Sequence, residues 1–302
     1  MALDIRSAEQ MRNTITKAQQ RQIKKVYEEI GKEVAKIAKT YENKSNISSV
    51  VRKYQLMIVR GQIEKMLTNS KKDIKNIIVD SMKKIADEVS GCSVKWLNSV
   101  GFDVTNGFTS IKQDVIDSLI TGRVYKNGWN LDSRIWGINE KEIEDIYSIV
   151  ARGIAEQKTT YEITKDLEKY VKPSAKKPWS WSKVYPGTNK VVDYNAQRLA
   201  RTLSQHAYQQ SFVRTTINNP FVLKYRWESN GSRACPLCED RNGTIYSKNE
   251  LPEDHPNGMC TWTPICEDDE TIIDNIANWY TSEEGTYPEI DAFAKECGYK
   301  IK

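Results

Sequence analysis

At 302 residues, with 39% hydrophobic and 28% charged side chains, the chain has the composition of a folded protein in two or three parts and not of a disordered tail. No run approaches the roughly 18 apolar residues that span a bilayer, and Met1-Ala2-Leu3-Asp4-Ile5-Arg6 lacks an apolar signal segment, so synthesis in the cytosol with no membrane partner is expected. The net charge of +5 conceals an asymmetry: residues 1–100 carry 20 Lys and Arg against 11 Asp and Glu, the remainder 25 against 29, so the front suits a solvated helix face or a phosphate contact.

From Met11, the residues Ile15, Ile23, Val26, Ile30, Val34, Ile37 and Tyr41 fall at helical steps without proline, which predicts one long helix extending roughly 45 Å. After the turn-like Asn43 to Ser49, the residues Val51, Tyr54, Ile58, Leu67, Ile74, Ile77, Ile78, Met82 and Ile85 repeat that spacing. Residues 1–100 therefore read as a basic helical arm or bundle, most simply an antiparallel hairpin.

Turn formers from Asn98 to Gly107 and again at Asn127-Gly128-Trp129-Asn130 open a helical middle domain, 101–220. Within it Ile143, Ile146, Tyr147, Val150 and Ile154 form a helical stripe, and Thr159-Thr160-Tyr161-Glu162 is a capping box for a second helix to Tyr170. Residues 172–190, with Pro173, Pro178, Pro186, Trp179 and Trp181, read as an irregular surface loop. Tyr194 to Ile217 returns to helical composition and ends at Asn218-Asn219-Pro220.

From Val222 the pattern changes to alternating aromatic and β-branched residues. Val222 to Trp227, Thr244-Ile245-Tyr246 and Thr261-Trp262-Thr263 read as three short strands, with a turn at Asn242-Gly243. Residues 221–270 form a small β-rich module, followed by an acidic helical tail, 271–302. The fold class is mainly α, with long N-terminal helices, a helical middle region and a small β-rich module (α+β).

Six cysteines in a chain without an export signal point to metal binding before disulfides. Cys235 and Cys238 are separated by two residues, His255 follows after sixteen more and Cys260 after a further four, the spacing of two ligand pairs contributed by two turns. Three thiolates and one imidazole suit Zn2+, and four filled positions leave none for catalysis, so the expected site is structural. Cys266 is an alternative to His255 as the fourth ligand. Cys92 and Cys297 read as buried small hydrophobes and His206 as a packing or surface residue. No catalytic motif or further cofactor-binding residue stands out, and an enzyme is not expected.

In order and spacing, the helix with Ala200-Arg201-Thr202, the strand ending in Arg226-Trp227, Cys235-x-x-Cys238, Asn242-Gly243-Thr244 and His255-Pro256-Asn257-Gly258-Met259-Cys260-Thr261-Trp262 resemble the C-terminal module of phage head morphogenesis proteins of the Mu F-like type, also called minor head or minor capsid proteins. The likeness covers roughly residues 140 to 265. Many members carry a further cysteine where this chain has Gly258. Some carry a toxin or enzyme domain after the module, and the forty or so residues that follow here are too few for one. The resemblance implies a structural virion component made in the bacterial cytoplasm, placed in low copy near the portal vertex. Its implied partners are the portal protein and the major capsid protein, with packaged DNA as a further contact of the basic N-terminal helices. The alternatives are a DNA-binding protein in its own right and a zinc-dependent nuclease or effector.

Overall fold

The computed structural model describes residues 6–40, 49–104, 108–135, 143–145, 147–149, 152, 156, 194–231, 234–256 and 258–299. In chain order the elements are α1 (Arg6–Thr40), α2 (Ser49–Ser99), α3 (Thr109–Thr121), α4 (Tyr194–Thr216), β1 (Val222–Glu228), α5 (Pro236–Arg241), β2 (Ile245–Tyr246), β3 (Thr261–Cys266), α6 (Asp269–Thr281) and α7 (Pro288–Glu296). The fold is mainly helical with a small three-stranded antiparallel sheet among the described residues, the α+β class that the sequence predicts. The capping box at 159–162, the proline-rich stretch 172–190 and its tryptophans lie outside the described residues. No helix among the described residues is long and apolar enough to cross a membrane.

Both long helices follow the 3.6-residue period, but their buried lines are not purely apolar. On α1 the line runs Ala8, Arg12, Thr16, Gln19, Ile23, Ile30, while Ile15 is only half-buried. Helix phase places the three polar residues in register with Ile23, whereas a reading that scores apolarity alone selects Ile15. On α2 the buried line is Ile63, Leu67, Ser70, Ile74, Ile78, Met82, Ile85 and Val89. Ile58, in the predicted stripe, is 38% exposed.

The chain divides into two compact units, each assembled from separated stretches: Met1–Lys17, Val79–Gly128 and Arg201–Lys302 in one, Ala18–Ile78 and Trp129–Ala200 in the other. This division cuts across the four consecutive segments read from the sequence. A long helix carries one uninterrupted stripe through a unit boundary, and turn signals mark loops and not the limits of a core.

In the second unit Ile63, Leu67, Ile74, Leu131 and Ile135 are buried. Surface pairs there include Arg60 with Glu144 at 2.9 Å and Lys75 with Asp132 at 2.8 Å. Exposed pairs contribute about 1 kcal/mol or less each, so apolar burial carries this unit.

In the first unit the sheet has the order β2-β1-β3, with Tyr225 opposite Tyr246 and Trp227 opposite Trp262. An irregularity between Val222 and Lys224 shifts the alternation, so Val222, Tyr225 and Trp227 all reach the core despite unequal spacing. Strand β3 runs past Thr263 through Pro264 to Cys266. It lies at the sheet's edge, where a proline's missing N–H costs no ladder bond.

Residues 269–299 form no loose tail. Asp268 caps α6 by accepting the Thr271 N–H at 2.9 Å, and Trp279 and Phe293 pack on Phe102 with ring centroids 5.5 and 5.8 Å away. Asp291 accepts the Trp279 indole N–H at 2.8 Å and the Gly285 N–H at 2.8 Å, and these two bonds hold its carboxyl below the usual carboxylate range. A depressed folded-state pKa gives stability that is whole above the unfolded value of about 4 and lost as pH falls through the folded value. Asp291→Asn is therefore expected to lower the melting temperature at pH 7 and to matter much less near pH 2. Equal losses at both pH values would exclude the charge as the cause.

Candidate metal centre

The first pair of donors is set by the entry into α5. Cys235 is extended at φ −82°, ψ 162° and Pro236 takes the first helical position, where its missing N–H and fixed φ cost nothing. The Cys235 carbonyl then accepts the N–H groups of Cys238 and Glu239, both at 2.9 Å. The sequence suggests a simple turn here; the structure has a six-residue helix whose first turn brings the two thiols together.

The second pair sits on a turn stabilised by a buried carboxylate. Gly258 N–H donates to the His255 carbonyl at 2.8 Å. Asp254 Oδ1 accepts the His255 N–H at 2.9 Å, and Oδ2 accepts the Cys260 N–H at 3.1 Å and an amide N–H of Gln205 at 3.2 Å. Cys260 directly precedes β3, so the sheet fixes one side of the turn and Asp254 the other.

The donor atoms of Cys235, Cys238 and His255 lie within 4.8 Å of one another, as do those of Cys238, Asp254 and Cys260. Cys238 belongs to both groups and its thiol contacts those of Cys235 and Cys260. His255 Nε2 stands 3.3 Å from Cys235 Sγ, and its Nδ1 faces the Pro256 carbonyl at 3.1 Å. A proton on Nδ1, donated to that carbonyl, leaves the Nε2 lone pair directed at the sulfurs, the tautomer that a metal ligand requires. The three thiols are buried and the imidazole is half-buried. Burial, reinforced by the neighbouring thiols, pushes the Cys238 thiol up, and burial with the Asp254 charge raises that of Cys260. Cations that bind here must displace thiol protons.

Cys235, Cys238, His255 and Cys260, the four ligands expected from the sequence, thus come close together and could hold a metal ion. Cys266 belongs to neither group: it ends β3 opposite Val222, which removes it as the rival of His255. Cys297 is buried and Cys92 half-buried. His206 is half-buried on α4, its Nδ1 2.9 Å from the Tyr125 hydroxyl, consistent with a packing residue.

Sequence reasoning missed Asp254, although it directly precedes His255. With three N–H donors on its two oxygens it holds the ligand turn and leaves the imidazole as the better-directed donor. It also missed Gln205 and Gln209, whose amide N–H groups both donate to the Cys260 carbonyl, the latter at 3.1 Å. Their i,i+4 spacing on α4 was a readable sign of a shared target.

Gly258 has a local explanation. A Cβ at that position would overlap the Asp254 carboxylate, so the carboxylate occupies the room that a cysteine side chain would need. Gly258→Ala is expected to push Asp254 aside and destabilise the protein by about 1–3 kcal/mol, the usual cost of overpacking. A variant that melts with the parent would show that the carboxylate moves freely.

Compared with known proteins, the chain matches no family model, no curated protein and no solved structure.

Proposed function

We propose that this protein is a structural minor head protein of a tailed bacteriophage whose C-terminal module is clipped together by one structural Zn2+. The observation that carries the zinc reading is the meeting of Cys235, Cys238, His255 and Cys260. Around tetrahedral zinc, with Zn–S near 2.3 Å and Zn–N near 2.0 Å, a sulfur and a nitrogen ligand sit about 3.5 Å apart and two sulfurs about 3.8 Å. The 3.3 Å between Cys235 Sγ and His255 Nε2 fits the first of these edges. Three thiolates and an imidazole are a donor set that zinc accepts with no open position, which favours structure over hydrolysis.

The virion reading rests on the resemblance carried by the helix with Ala200-Arg201-Thr202, the strand ending in Arg226-Trp227 and the cysteine and histidine turns. The helix-strand-helix-strand order around the ligands supports it. In this reading the protein joins the head near the portal vertex, contacting portal protein and major capsid protein. Packaged DNA is a further contact, for which Lys72, Lys83 and Lys84, all exposed on α2, are the groups available. Binding through such lysines weakens steeply as salt rises.

The test has two parts. Metal analysis of protein purified under reducing conditions should find one zinc per chain. Co-expression with portal protein should give a complex that co-purifies, and the protein should be present in purified virions. Zinc-free protein that melts identically with and without chelator would remove the metal reading, and absence from virions would remove the head reading.

A further inference from the structure

Arg12 is a buried cation from the far end of the chain. It is 3% exposed, it lies over the Tyr208 ring at 4.6 Å, and one of its amino groups donates to Gln205 Oε1 at 2.8 Å. Its Nε has no hydrogen-bond partner among the described residues. Taking a guanidinium out of water is expensive unless an anion compensates it, and here two amide oxygens, of Gln205 and, at 3.3 Å, of Asn13, meet it directly while Glu9 on the same helix acts on it electrostatically. A packing role alone would be served as well by methionine or leucine at this phase of α1.

Gln205 connects this cation to the metal centre. Its Oε1 accepts from Arg12, while its amide N–H groups donate to Asp254 Oδ2 and to the Cys260 carbonyl. Gln209, one turn further along α4, donates to the same carbonyl. Asp254 in turn receives the Cys260 N–H. The backbone of one ligand is therefore gripped on both sides by a polar relay that ends on α1.

The charges give the relay a purpose. One Zn2+ with three thiolates and a neutral imidazole has a net charge of −1. Loading the site with zinc thus gathers negative charge on the turn that Gln205 ties to Arg12; Tyr208 and Glu9 act on the same guanidinium ahead of Asp254 and Cys260. A group that interacts more strongly with one state than with the other shifts the balance between them, and the coupling is reciprocal.

We propose that Arg12, acting through Gln205 and Asp254, is a positioning residue and buried counter-charge of the metal centre, so that zinc loading and the docking of the start of α1 on α4 stabilise each other. This rests on the reading of the site as a zinc centre. Nothing in the spacing of the ligands signals it: Arg12 precedes the first of them by more than two hundred residues.

The test uses the full-length protein with Zn2+ as the probe. Zinc affinity is measured by competition with a chromophoric chelator for the parent, Arg12→Met, Arg12→Lys and, as control on the same helix, Lys17→Met, whose side chain is exposed. Amide exchange of residues 6–17 is followed with and without chelator, with residues 82–97 of α2 as internal reference. Arg12→Met is expected to bind zinc about 10- to 100-fold more weakly, the usual effect of losing an outer partner of a ligand. Arg12→Lys, which keeps the charge and loses the planar fork, should fall between, and Lys17→Met should match the parent. Chelation should increase exchange in 6–17 more than in 82–97. Parent-like zinc affinity in both Arg12 variants, or exchange in 6–17 that ignores chelation, overturns the coupling and leaves the zinc site standing. Absence of zinc from the parent overturns the site reading and the coupling with it. Should Arg12→Met fail to fold, the lysine variant and the exchange experiment still decide.

Discussion

Cys238→Ser is expected to abolish stoichiometric zinc binding and to unfold the loop that carries His255 and Cys260. Cys238 is the residue that both donor groups share, it is 1% exposed, and its thiol contacts two others. Between β2 and β3 the chain runs from Ser247 to Cys260 with little apolar burial of its own: Met259 and Cys260 are buried, while most of its other side chains are partly or fully exposed. Such a segment cannot offset its conformational entropy by hydrophobic contacts alone. Structural zinc supplies an apparent binding free energy of about 10–16 kcal/mol near neutral pH in small modules, and where the site exists only in the folded state this is folding free energy. A serine hydroxyl is a poor zinc ligand in water and leaves two buried thiols and an imidazole without their common centre. The variant should therefore melt well below the parent, and its melting should no longer respond to EDTA, whereas the parent should fall to a similar level when chelated. Cys266→Ser, at the far end of β3 and outside both donor groups, should retain zinc and the chelator response. A Cys238→Ser protein that still holds one zinc and melts with the parent would remove the clip from the structure.

How much of this was readable in the sequence follows from the range of each interaction. The closeness of the four candidate ligands was legible because metal chemistry restricts donor types and short turns restrict spacing, so Cys235-x-x-Cys238 and His255-x4-Cys260 carry their geometry locally. The helices were legible by period, and the core positions Leu67, Ile74, Ile78, Met82 and Ile85 were named correctly from it. Arg12, Thr16 and Gln19 were not, because polar residues on a buried face have meaning only once their distant partners are known. Strand β3 was read three residues short, stopping before Pro264, since a proline argues against a strand until its edge position is known. The composition of each unit was the least legible, because it depends on which stretches meet in space. Asp254 was hidden for a different reason: an aspartate in a loop is ordinarily a solvated turn residue, and only its three N–H donors reveal it as the carboxylate that organises the ligand turn.

The second large effect is expected at Trp227, where the sheet and not the metal carries the load. Trp227 is 0% exposed on the central strand, its ring meets the edge of Trp262 across β1 and β3 with centroids 4.8 Å apart at 84°, and the Arg241 guanidinium lies 5.6 Å from its ring centre. Trp262 in turn meets Tyr246 edge-on at 5.3 Å, so one side chain from each strand joins the same cluster. Removing Trp227 takes away the largest fully buried side chain among the described residues and leaves Trp262 without its nearest ring there. Large-to-small changes of this kind cost about 3–5 kcal/mol, and the lost edge-to-face contact adds about 0.5–1.5 kcal/mol. Against a typical total of about 5–15 kcal/mol, Trp227→Ala should bring the protein near its folding threshold, with the denaturant midpoint as the measurement. Trp227→Phe should cost much less than its size suggests. The Trp227 indole N–H has no hydrogen-bond partner among the described residues, and phenylalanine removes that buried donor while keeping a ring against Trp262. Metal content separates this effect from that of the ligands: Trp227→Phe should retain one zinc per chain at lowered stability, because no ligand is touched. Loss of zinc in the phenylalanine variant, with the sheet otherwise folded, would mean that the ring cluster and the metal turns form a single cooperative element and not two adjoining ones.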